Sequence, residues 1–194
     1  MSSEKDFLGF FKDDPAKVFG RITLIFGDVS KHDSGFSAHL WSLCRSDSDH
    51  LLSDCGFKRP LSEYLKVEPD RMFKFFPACF ESGLSPQVME GFVCYLVDLI
   101  NQPNINSPIK WVIVTHSLEI IGWFTKLAYE RNLPEDFLRG IRVVNKSDAG
   151  VNGVSFSIYA LENLLASLEQ GWDPRTGNPH PLFGFTFKTD APTI

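Results

Sequence analysis

The sequence predicts an α/β fold: a mostly parallel sheet flanked by helices, with a C-terminal β-hairpin. Three observations carry this. Short apolar runs, rich in β-branched and aromatic residues, alternate with stretches of helical periodicity, the order that yields parallel strands joined by helices. Two later runs, IRVVN and VSFSIYAL, follow each other across a turn, as hairpin strands do. The 194 residues are 43% hydrophobic and include 18 Phe, which suits one packed core in one domain.

Residues 1–19 form a polar-aromatic lead-in. RITLIF (21–26) is a short apolar run ending at Gly27-Asp28, which reads as a buried strand followed by a turn. FSAHLWSLC (36–44) sets Phe36, Leu40, Leu43 and Cys44 on one helical face. Residues 45–71, rich in Ser, Asp, Lys and Pro, read as a surface connection, with a short helix in LSEYL. MFKFFPACF (72–80) is a second strand, weakened by Pro77, which has no N–H for the ladder. Pro86 suits the first turn of a helix. Val88, Met89, Phe92, Tyr95, Leu96, Leu99 and Ile100 then follow at helical spacing.

KWVIVTHS (110–117) is the strongest strand, and a helix over 118–131 follows with Ile120, Ile121, Phe124, Leu127 and Ala128 inward. IRVVN (141–145), a turn at 148–153 and VSFSIYAL make the hairpin. Residues 160–170 form a short helix with Leu161, Leu164, Leu165 and Leu168 inward. The tail over 171–194, rich in Pro and Gly, reads as irregular. The central strands are thus expected near 21–27, 72–79 and 110–115, with the two later ones beside the opening one.

Composition excludes a disordered chain, a coiled coil, a collagen-like repeat and a disulfide-stapled mini-protein. Nineteen Lys and Arg against 24 Asp and Glu give a formal charge of −5. A general nucleic-acid binder needs net positive surface to displace counterions from phosphates, so nucleic acid is not an expected partner of this chain on its own. The cysteines, Cys44, Cys55, Cys79 and Cys94, show no C-x-x-C pair and no His at zinc-finger spacing, so they read as buried reduced thiols. The first residues, MSSEKDFLGFFKDDP, are too charged for a secretory signal, and no apolar run reaches the roughly 20 residues of a bilayer span. A cytoplasmic protein with no membrane association is expected.

A buried strand ending in Gly, then a loop and a helix, is the setting of a phosphate-binding loop, whose working motif is G-x-x-x-x-G-K-[ST]. Laid over this chain without gaps, Gly27 takes the first Gly and Ser34 the last position. His32 falls on the second Gly and Asp33 on the Lys. A side chain at His32 obstructs the approach of backbone amides to phosphates. Asp33 puts an anion where a cation is needed. Two like unit charges about 4 Å apart repel by about 4 kcal/mol at an effective dielectric of about 20.

A longer series of segments resembles the ABC-type ATPases of the RecF, SMC and overcoming-lysogenization-defect class. GFFKDDPAKVFGRITLIFG is similar to that family's lead into its first strand. Glu81-Ser82-Gly83-Leu84-Ser85-Pro86 stands where the family carries a segment like E-N-G-L-H-P, followed by a long helix. Thr115-His116-Ser117 stands for the family's strand-end T-H-S with its switch histidine. SLEIIGWFTKLAYE, IRVVN, SFSIYALENLLASLEQG and WDPR resemble its tail. The blocks cover about half of the chain, in family order. The resemblance implies a trimmed P-loop NTPase-like fold, one domain over 1–194, with 45–71 replacing the family's long arm.

The same alignment shows losses. The positions at which the resemblance implies a metal-binding Asp and a water-polarising Glu, two and three before Glu81, hold Cys79 and Ala78. Magnesium then lacks its carboxylate anchor and the attacking water its base. No signature sequence lies in the short stretch between Ser34 and Ala78. The expected site is therefore a degenerate nucleotide site of Gly27, His32, Asp33, Ser34, Ala78, Cys79, Glu81 and His116, with no catalytic residue, metal or cofactor. The resemblance then implies a non-catalytic pseudo-ATPase that binds another protein, an active ABC-type ATPase or nuclease, in DNA maintenance or anti-phage defence. The alternative is a reduced but active nucleotide hydrolase with relocated groups such as Lys31 and Asp28.

Smaller candidates stand beside these. Cys79 and His116 lie at the ends of strands that could be neighbours, as a thiol and base would, but no third orienting group is evident. Asp28, His32, Asp33 and His39 could ligate a divalent ion, though acidic loop residues are more often solvated turn formers. Trp123 and Phe124 could form a partner surface or pack on the sheet. Asp173-Pro174-Arg175 and the apolar LFGFTF could dock on the body or on another subunit.

Overall fold

The computed structural model describes residues 18–28, 73–76, 81, 84–102, 109–148 and 151–180. Within them a five-stranded sheet is built from β1 (Ile22–Gly27), β2 (Phe73–Phe76), β3 (Lys110–Val114), β4 (Leu138–Asp148) and β5 (Val151–Ala160), in the order β2-β3-β1-β4-β5. The first four strands run parallel and β5 returns antiparallel to β4. The fold is therefore α/β with a mostly parallel sheet and a C-terminal hairpin, as the sequence predicts.

The hairpin is longer than expected. β4 begins at Leu138 and reaches Asp148, and β5 starts at Val151, so the turn is tighter than 148–153. β2 covers Phe73–Phe76, inside the expected 72–79, and residues 77–80 lie outside the described residues. The neighbours of β1 also differ from expectation: β3 lies on one side and β4 on the other, and β2 lies beyond β3. The helix expected over 36–44 and the connection over 45–71 fall outside the described residues.

Three helices, α1 (Pro86–Ile100), α2 (Leu118–Glu130) and α3 (Leu161–Glu169), lie side by side, α1 against α2 and α2 against α3. Their inner residues form one core with Ile22, Leu24, Phe26, Phe76, Trp111, Ile113 and Leu138 of the sheet. Phe76 stacks on Trp111 at 5.9 Å and meets Phe92 edge-on at 5.5 Å, which ties β2, β3 and α1 together. Alternate residues point to the opposite face. There Thr23, Ile25, Val112, Val114, Ile141 and Val143 are also buried, as a parallel sheet requires.

The helices begin where the sequence says they should. Ser85 caps α1 by accepting the Val88 N–H on its Oγ, with Pro86 in the first turn. The expected inner face of α1 needs correction. Val88 and Tyr95 are each 50% exposed, and Val93 and Val97 are buried instead. At 100° per residue, Phe92, Val93, Leu96, Val97 and Ile100 span one arc, and Val88 and Tyr95 fall just outside it. In α2, Phe124 enters the core and Trp123 packs half-buried against it, so this pair forms no joint outer surface. Cys94 is a free thiol, half-buried where full burial is expected.

At the N-terminal edge of the sheet two cations bind main chain. Arg21 Nη2 donates to the Ile100 carbonyl that ends α1 (2.5 Å), and Lys110 Nζ donates to the Phe19 carbonyl (2.7 Å). Burial holds the Lys110 ammonium below the usual lysine range, with the charge of Asp136 opposing it. Among the described residues, no helix is long and apolar enough to cross a membrane.

Candidate functional site

In open parallel sheets, ligands enter beyond the carboxyl ends of the strands, where successive connections leave in opposite directions. That condition is met here at β1. The chain leaves β1 for β2 on one side and later crosses from β3 to β4 on the other. An open cavity of about 430 Å³ lies at this edge, lined by Gly27, Asp28, His116, Arg142, Arg175 and Thr176.

Gly27 ends β1 with φ +99°, and a Cβ there would lie 2.3 Å from the Val143 carbonyl oxygen. Only glycine fits both the conformation and the space. The Asp28 N–H donates to that same oxygen (2.9 Å), so the turn after β1 is fastened to β4.

The end of β3 is fixed from two sides. The Thr115 N–H continues the ladder to the Ile25 carbonyl (2.9 Å). Glu81, which follows the neighbouring strand β2, accepts two bonds: from Thr115 Oγ1 (2.7 Å) and from the His116 N–H (2.8 Å). Thr115 Oγ1 also accepts the Ser117 N–H (3.0 Å), and Ser117 Oγ caps α2 by accepting the Ile120 N–H (3.2 Å). The T-H-S segment is thus a strand-to-helix joint with every hydroxyl engaged. On its other side, the His116 carbonyl accepts from Arg175 Nη1.

Arg175 comes from a segment read as irregular. Residues 172–179 instead form a small antiparallel ladder of β6 (Trp172–Asp173) and β7 (Asn178–Pro179). Its turn is organised by Asp173, which is buried. Asp173 Oδ1 accepts the Arg175 N–H (2.8 Å), and its carboxylate takes Arg175 Nε (3.0 and 3.1 Å) and Nη2 (2.7 Å). Burial pushes the Asp173 carboxyl up. The side-chain and main-chain bonds from Arg175, then the charges of Arg175 and His180, outweigh it and hold the group below the usual range. The Arg175 guanidinium is raised by the Asp173 bond, against burial, with help from the charges of Asp173, Glu119 and Glu81.

Arg142 secures this turn from the sheet. Its Nε donates to the Arg175 carbonyl (3.0 Å) and its Nη2 to the Thr176 carbonyl (2.5 Å). Gly177 (φ +70°) lies against it, and a Cβ there would meet Arg142 Nη1 at 2.5 Å.

Of the expected site residues, Gly27 and His116 line one cavity and Glu81 is bonded to the His116 main chain. His32, Asp33, Ser34, Ala78 and Cys79 lie outside the described residues, as do Lys31 and His39. Sequence reasoning missed Arg142, whose only signal is a charge inside an apolar strand. It raised Asp173-Pro174-Arg175 as a docking segment, and that segment does dock on the body. Comparison of the chain with protein-family models, curated proteins and solved structures gives no match.

Proposed function

We propose that this chain is a pseudo-ATPase: a trimmed P-loop NTPase-like domain, similar to the ABC-type ATPases of the RecF, SMC and overcoming-lysogenization-defect class, that works without hydrolysis as a protein-interaction or regulatory subunit. Its partner on this reading is an active ATPase or nuclease of the same class, in cytoplasmic DNA maintenance or anti-phage defence.

One observation carries the reading. The main chain of His116 is clamped from both sides, its N–H by Glu81 and its carbonyl by Arg175. A group that polarises water or senses a phosphate must aim a free lone pair or proton into the cleft. Here two internal donors, one on each oxygen, hold the Glu81 carboxylate against the end of β3. Arg175, whose guanidinium binds the His116 carbonyl, is paired with Asp173. The turn after β1 opens with Asp28, an anion where a triphosphate would need positive charge.

The test is an equilibrium titration with fluorescent ATP and magnesium. The reading expects no saturable binding up to millimolar nucleotide. Micromolar binding that Lys31→Ala abolishes would replace it with the reduced hydrolase.

A further inference from the structure

We propose that residues 171–180 are a strap across the strand-end cleft, fastened by Arg142 and Arg175, which opens as a unit while the sheet stays folded. The proposal does not depend on the pseudo-ATPase reading, since it concerns how one wall of the cavity is held.

Strap and body contribute to the same cavity. Gly27, Asp28, His116 and Arg142 come from the sheet side, and Arg175 and Thr176 from the strap. The attachments are polar. Arg142 reaches out to two strap carbonyls, and Arg175 reaches in to the His116 carbonyl. The largest apolar side chain of the strap, Trp172, is turned outward and is 42% exposed. Only Asp173 and Pro174 are buried.

The strap is also closed on itself. The Thr176 and Gly177 N–H groups donate to the Asp173 carbonyl (3.2 and 2.7 Å), the His180 N–H to the Gly171 carbonyl (2.7 Å), and Arg175 to Asp173. These bonds hold while the strap is docked, but an isolated two-stranded ladder is marginal in water, so they are lost together once the strap leaves the body. Among the described contacts, what opening must break first is the set of guanidinium–carbonyl bonds. Units with few apolar anchors and many edge hydrogen bonds open at lower free energy than the core they cover. Opening would bare the His116 carbonyl and the Arg142 guanidinium together, on one cleft wall.

Native-state hydrogen exchange at low denaturant tests this on the intact chain. The opening that frees the strap should show up at the Arg175, Thr176 and Gly177 amides. They should exchange at least about tenfold faster than Leu24, Ile25 and Ile113, and with a weaker denaturant dependence. Arg175→Gln should speed strap exchange by about tenfold or more, as expected for loss of a charged hydrogen bond, and leave the β1 and β3 amides unchanged. Arg142→Gln should do the same, and it covers the case in which Arg175→Gln does not fold. Strap amides that exchange with the rate and denaturant dependence of β1 and β3 would overturn the proposal. So would acceleration of strap and core by the same factor in these variants.

Discussion

Replacing Glu81 with Ala is the sharpest test of how the strand ends are held. The carboxylate accepts one bond from a hydroxyl at 2.7 Å and one from a main-chain N–H at 2.8 Å. Thr115 is fully buried, so truncation leaves its hydroxyl without that acceptor. Hydrogen bonds to a charged partner contribute about 1.5–3 kcal/mol each. Glu81 itself is only half-buried, so water can recover part of that, and the net cost should be about 2–3 kcal/mol. For a chain of this size each kcal/mol lowers Tm by about 2–4 °C, which gives a fall of about 4–12 °C. Glu81→Gln keeps one acceptor oxygen and should lose roughly half as much. Thr115→Val removes the other end of the pair. In a double-mutant cycle with Glu81→Ala, thermal and urea melts should return a coupling of about 1 kcal/mol or more. A Glu81→Ala protein that melts with the parent, or a cycle with no coupling, would refute the clamp. It would then leave the carboxylate free for chemistry.

Three further outcomes follow from the same contacts. Gly27→Ala should lower the urea midpoint by the equivalent of about 1–3 kcal/mol, because its Cβ meets the Val143 oxygen at a positive φ; an unchanged midpoint would remove the steric argument. The Asp173 carboxyl is depressed in the fold, so its stabilisation is complete above its unfolded value and is lost as pH falls through the folded value. Melts from about pH 6 downward should therefore show a loss beginning below about pH 4 that Asp173→Asn, already less stable at neutral pH, does not share. Phe26→Ala, at a fully buried ring 6.0 Å from that of Tyr159, should cost about 3–5 kcal/mol in a urea melt; a loss under about 1 kcal/mol would place Phe26 outside the core.

Local pattern made much of this fold legible. The strand at Trp111 to Val114 and the helices beginning at Pro86 and Leu118 follow from apolar periodicity and from Ser85 and Ser117 as caps. What local pattern lacks is the order of strands. That β2 lies beyond β3 depends on pairings between distant residues such as Phe75 and Val112, and no spacing in either segment encodes it. Val88 and Tyr95 depart from the expected helical face for a related reason. An apolar residue at the border of a helical arc is seated by the neighbouring helix, not by its own spacing. The ladder over 172–179 has strands of two residues, too short for any period. Its order comes from Asp173 and Arg175, a pair that reads in sequence only as a docking segment within an irregular tail. Part of the candidate site is likewise legible as motif, through Gly27, Glu81 and His116. Arg142 was hidden because a cation in the run IRVVN carries no sign of the segment it will fasten, some thirty residues further on.

The economy of charge at the strand ends bears on the proposed function. A phosphate site needs donors aimed at vacant space. Arg142 instead gives Nε and Nη2 to carbonyls, and Arg175 gives Nε and Nη2 to Asp173 and Nη1 to His116. Recruiting either guanidinium to an anion would first break charged hydrogen bonds of about 1.5–3 kcal/mol each. It would also leave the Asp173 or Glu81 carboxylate close to the incoming negative charge, where like charges repel. A partner protein that docks against the closed strap requires neither change. On this accounting, nucleotide binding and strap opening are coupled. A variant that loosens the strap and keeps both guanidinium groups, such as Gly177→Ala, whose Cβ would meet Arg142 Nη1 at 2.5 Å, is the one in which residual affinity for an anion would first become measurable. If Gly177→Ala opens the strap and still binds no nucleotide, the strap is not what keeps nucleotide out.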